Sequence, residues 1–180
     1  MVSARRNPHY AGGVPADSRQ TQALPYYVVS GLRSLILIIT GLVITFTPGH
    51  TPQFGLVALG ILAIVTAVGL GLAALGLAAT KSGRGLHLWQ ALVSLVVGAL
   101  VLALHEAGMI LLLWALVFWA LLVGVAEIFF GARLAAGDVL RRDWMTQGVM
   151  TVVLAVVVLF QPADSVAVVG FLGAWAIVQG

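Results

Sequence analysis

The stretch KSGRGLHLWQALVSLVVGALVLALHEAGMILLLWALVFWALLVGVAEIFFGARLAAGDVLRR, residues 81–142, decides the fold. It holds two apolar runs, Leu86–Leu104 and Gly108–Gly131, parted by a turn of a few residues at His105-Glu106-Ala107. Each run has roughly the 20 residues that a helix needs to cross a hydrocarbon core. Lys81 and Arg84 precede the first run; Arg133, Arg141 and Arg142 follow the second. The turn between them carries no base. This is one crossing out, a tight turn and one crossing back.

The same pattern continues on both sides. Tyr26–Phe46 and Phe54–Ala79 come before; Trp144–Phe160 and Ser165–Gly180 come after. With 61% hydrophobic and 8% charged residues, a soluble domain could not cover its apolar surface. The expected fold is an all-α integral membrane protein with six transmembrane helices. Arg5, Arg6, Arg19 and Arg33 fall at the first end, so all nine Lys and Arg lie on one side of the threaded helices. The positive-inside rule then puts the N-terminus in the cytoplasm. Bases placed this way anchor helices to a membrane surface and do not form a nucleic-acid patch.

Three copies of a helix pair account for the length. Arg33, Gln90 and Gln147 recur at intervals of 57 residues. A small residue follows eight later (Gly41, Gly98, Ala155), and a loop residue seven after that (Pro48, His105, Pro162). The repeats run about 26–80, 81–138 and 139–180, all in one orientation, so the fold is three parallel repeats of an antiparallel helix pair. The outer turns are short and stopped by Pro and Gly. Residues 1–25 are polar and expected to be a disordered cytoplasmic tail, leaving 26–180 as the six-helix membrane domain. The third copy stops at Gly180, roughly ten residues short of a full crossing at 1.5 Å per residue, and is expected to be truncated.

The repeat with Gly41, Gly98, Pro48 and Pro162, the run Trp119-x4-Gly124-x2-Glu127-Ile128 and the exit Ala132-Arg133-Leu134 resemble the HdeD-like family of bacterial short-repeat membrane proteins. His105 departs from the pattern, where the other copies have Pro. The resemblance implies a multi-pass protein of the bacterial inner membrane, linked to acid resistance or envelope stress, and brings no catalytic residues with it.

Chemistry is sparse. The absence of cysteine excludes disulfides, thiolate metal sites and cysteine nucleophiles. No Ser-His-Asp pattern, phosphate loop or i, i+4 ligand pair stands out, so no catalytic, cofactor-binding or metal residues are expected and the chain reads as a non-enzyme. Among the polar residues inside the apolar runs, four form a candidate cluster: Arg33, Gln90, Glu127 and Gln147. An intramembrane charge costs roughly 2.5–3.5 kcal/mol on insertion scales, so Arg33 either pairs with Glu127, the glutamines bonding across helices, or snorkels to the headgroups. A paired cluster serves as glue between helices or, in a small transporter or channel subunit, as part of a path. On the outer face, His50, His105, Glu106 and Asp164 form a candidate pH-responsive set, since histidine titrates near pH 6.5; ordinary turn chemistry also explains them. Small residues four apart, as in Ala120-x3-Gly124 and Gly170-x3-Ala174, serve helix packing and admit a homo-oligomer or a membrane-protein partner besides the lipid bilayer.

Overall fold

The computed structural model describes the backbone of residues 16–75, 81–161 and 163–180, and side chains from residue 31 onward outside 76–82 and 162. Among these residues the chain is all helix. The elements are α1 (Ala16–Phe46), α2 (Pro52–Leu75), α3 (Lys81–Ala103), α4 (Met109–Ala132), α5 (Val139–Leu159) and α6 (Ser165–Gln179). Four segments are long and apolar enough to cross a membrane: Pro52–Leu75, Gly83–Ala103, Met109–Ala132 and Val139–Leu159. Gly31–Phe46 and Ser165–Gln179 are apolar but shorter. Large apolar side chains face outward on every helix, among them Ile39, Leu72, Val96, Phe118, Val153 and Val178. Helices apolar on all sides fit a membrane protein.

The helices begin earlier than the apolar runs. The expected disordered tail lies outside the described residues up to 15, but residues 16–25 belong to α1. Residues 16–24 contain no Gly or Pro and several good helix formers, so nothing there stops the backbone ladder. Likewise α5 starts at Val139, so Arg141, Arg142 and Asp143, expected in a loop, are helical. Asp138 starts that helix by accepting the Leu140 N–H at 3.0 Å, as an N-cap does. An apolar run marks contact with lipid or core; a helix continues until a residue breaks it.

The outer turns use glycine where the chain needs a positive φ. Gly49 (φ 87°) follows α1, and Gly108 (φ 82°) immediately precedes α4. L side chains rarely adopt that conformation.

Helices joined by outer turns do touch, as the short turns require, but the broadest interfaces lie elsewhere. They join α2 to α3, α4 to α5 and α1 to α6. Each is made close by small residues. A Cβ on Gly41 would lie 2.5 Å from Ile177 Cγ1 and 2.8 Å from the Gly173 carbonyl of α6. One on Gly98 would lie 3.0 Å from Ile64 of α2. One on Gly148 would meet the Gly124 carbonyl of α4 at 2.6 Å and Glu127 Cβ at 2.9 Å. Ala155, the third member of the Gly41 and Gly98 series, is buried. Gly170 and Ala174 face outward instead, and a Cβ on Gly170 would meet nothing within 4 Å.

The contrast is testable. Gly148→Ala drives a methyl into the α4 backbone and is expected to cost about 1–3 kcal/mol, the usual range for overpacking. Gly170→Ala should change stability by no more than roughly 0.5 kcal/mol. Reversible unfolding of both variants in one lipid or detergent system measures the difference; equal effects would exclude close helix approach at Gly148.

Candidate intramembrane polar site

Helix α4 buries a stripe at Leu112, Leu116, Trp119, Val123, Glu127 and Gly131. These positions are spaced three and four apart, so Glu127 faces inward with the apolar residues. Helix α3 does the same with Leu86, Gln90, Val93, Ser94 and Val101. The two stripes bring Gln90 and Glu127 together. Gln90 Nε2 donates to Glu127 Oε1 at 2.7 Å, and both residues are sealed, at 2% and 1% exposure.

Arg33 reaches the same oxygen from α1. Its Nη2 lies 3.4 Å from Glu127 Oε1, and its side chain keeps 28% of its surface open. One carboxylate oxygen thus takes donors from two helices. The other, Oε2, is buried and has no hydrogen-bond partner among the described residues. At 2.7 Å the amide contact lies at the short end of the N–H···O range. At 3.4 Å the guanidinium contact is long, and its partly open surroundings screen it. Gln90 is therefore the tighter partner, and Arg33 the weaker and more exposed one, paired with Glu127 as the first of its two readings had it.

Gln147 does not join them by a hydrogen bond. Its amide donates to Asp143 Oδ1 at 3.2 Å, one turn back on α5. Its backbone carbonyl belongs to a second polar knot: Gln179 Nε2 donates to that carbonyl at 3.1 Å and to Thr151 Oγ1 at 2.8 Å. This knot ties α5 to α6.

Ser94 and His87 escaped the sequence reading. Ser94 Oγ accepts the Trp119 Nε1–H at 3.1 Å; its place four residues after Gln90 was the available signal. Trp119 and Trp175 pack edge to face, with ring centroids 5.4 Å apart. His87 is packed edge-on against Trp144 at 6.3 Å, and its buried Nδ1 has no hydrogen-bond partner. Trp144 is buried, whereas Trp89 is exposed.

The outer-face residues serve their own turns. His50 Nε2 bonds to the Ile44 carbonyl at 2.9 Å and packs against Phe54. His105 Nδ1 bonds to the Leu102 carbonyl at 3.0 Å, and its Nε2 lies 4.0 Å from the exposed Glu106 carboxylate. Asp164 caps α6 by accepting the Val166 N–H at 3.0 Å. Among the described residues no hydrogen bond or ion pair links His50 or Asp164 with His105 or Glu106, and no three metal-binding side chains converge.

Comparison with family models, curated proteins and solved structures finds no match to this chain. The arrangement itself defines what the site can do. It holds α1, α3 and α4 in register through one carboxylate oxygen.

The two contacts to Glu127 should differ in strength. Gln90→Leu strips a buried carboxylate of its short bond and is expected to cost about 1.5–3 kcal/mol. Arg33→Met should cost less, about 1 kcal/mol, because the pair is partly screened. Double-mutant cycles with Glu127→Gln in one lipid system separate the two. A larger coupling for Arg33 than for Gln90 would reverse the ranking.

Proposed function

We propose that this chain is a non-enzymatic membrane protein of the HdeD-like type, acting as a structural or accessory component of the bacterial inner membrane under acid or envelope stress. In this reading it crosses the membrane six times as three parallel repeats, with its N-terminus in the cytoplasm. The stress link and the bacterial setting rest on the motif resemblance alone.

The repeat reading draws support from recurring contacts. A Cβ on Gly124 would meet the Gly148 carbonyl and Val152 N at 2.8 and 3.0 Å. A Cβ on Gly180 would meet the Ser34 carbonyl and Ile38 N at 2.7 and 3.0 Å. Ser34 and Ile38 stand two repeat lengths before Gly148 and Val152. The same close approach therefore recurs between α4 and α5 and between α6 and α1.

The observation that carries the structural role is that the carboxylate end of the polar cluster is closed. Gln90 and Glu127 are sealed, and the space beside them that admits the centre of a water molecule is only about 10 Å³. A transport path needs polar groups that face a cavity; this arrangement favours glue between helices. The second reading, a small transporter or channel subunit, draws on the buried Glu127 carboxylate, since ionisable groups at such depth often mark ion pathways.

Flux separates the two. Proteoliposomes containing the chain are expected to leak protons, K⁺ and Cl⁻ no faster than empty liposomes. A leak that disappears in a well-folded Arg33→Met/Glu127→Gln variant would establish the transport reading instead. Orientation is checked separately, because the chain has no cysteine of its own. Glu106 and Ala136 are both exposed. A membrane-impermeant maleimide should label Glu106→Cys in intact cells and Ala136→Cys only after permeabilisation; the opposite pattern would invert the topology.

A further inference from the structure

Trp175 and Trp119 are neighbours with the same chemistry and different surroundings. Trp119 gives its indole N–H to Ser94 Oγ. Trp175 is 8% exposed, and its Nε1 has no hydrogen-bond partner among the described residues. A buried N–H left without an acceptor is costly, and such groups call for an explanation.

Both indoles line one cavity, together with Arg33 of α1, Thr66 of α2 and Gln90 and Ser94 of α3. The volume open to a water's centre is about 10 Å³, close to that of a single water. Cavities of this size stay dry when their walls are apolar. These walls are mixed: Leu37, Leu70 and Val123 stand among polar residues. They offer hydroxyls on Thr66 and Ser94, a side-chain amide on Gln90 and a guanidinium on Arg33. A water needs about two to four polar partners, and this cavity supplies them. A larger solute does not fit.

We propose that this cavity holds one ordered water, which accepts the Trp175 Nε1–H and donates to the hydroxyls of the wall. The water ties α6 to the hydroxyls of α2 and α3 beside the Arg33–Gln90–Glu127 cluster, to which no direct side-chain hydrogen bond joins α6 among the described residues.

The test uses the full chain in lipid nanodiscs with its five tryptophans labelled with ¹⁵N at the indole. Trp175→Phe assigns its signal by the loss of one indole resonance. The ring contact with Trp119 gives the same assignment without a variant. The Trp175 indole proton is expected to carry the shift of a hydrogen-bonded indole and a cross-peak to water. Val123 also lines the cavity. Val123→Ile adds a methylene there, and should remove that cross-peak while the other four indole signals persist. A Trp175 indole with the shift of an unbonded N–H would overturn the assignment. So would a cross-peak to a protein hydroxyl in place of water, or a water cross-peak that survives Val123→Ile.

Discussion

Close backbone approach is the constraint from which the other features follow. In a hydrocarbon environment, apolar side chains gain little by leaving lipid for one another, so helices associate through tight packing and shared polar bonds. Gly148 permits this between α4 and α5: its α-carbon face lies against the Gly124 carbonyl and the root of Glu127. Gly41 and Gly173 do the same for α1 and α6. With the helices drawn in this far, Glu127 has no route to water and must find its donors inside. Gln90 and Arg33 are those donors. The polar cluster is thus a product of the small-residue packing, and it in turn holds the packed helices in one register.

Much of this could be seen in the residues themselves. Charge is so scarce in the apolar runs that Arg33 and Glu127 stand out, and the 57-residue spacing picks out Gln90 as the counterpart of Arg33. All three meet at one oxygen. Gln147 has the same spacing but a different fate, because Asp143 offers an acceptor one turn away on its own helix. Repeat position specifies which residue recurs; the nearest available partner decides what it bonds. The helix starts were hidden for a related reason. Hydropathy reports where side chains meet lipid or core, whereas Asp138 and the absence of a breaker determine where α5 begins.

Helix neighbours were the hardest feature to read. Short turns make the two helices they join neighbours, and those pairs do touch. The broadest contacts instead join α2 to α3, α4 to α5 and α1 to α6. A turn of a few residues fixes proximity at one end only. Small residues along the whole face decide which pair stays close, and those faces are composed of residues far apart in the chain.

The α1–α6 interface has a consequence for biosynthesis. Helices enter the membrane in the order in which they are made, and the N-terminal parts of a chain fold before the rest is complete. Helix α1 precedes its main partner by the whole of α2 to α5. Arg33 likewise precedes Glu127 by 94 residues. During that interval Glu127 has not yet been made, and the guanidinium lacks the carboxylate it meets in the finished bundle. In the finished bundle Arg33 is the contact that ties the first helix to the polar site, and it can close only once Glu127 has been made.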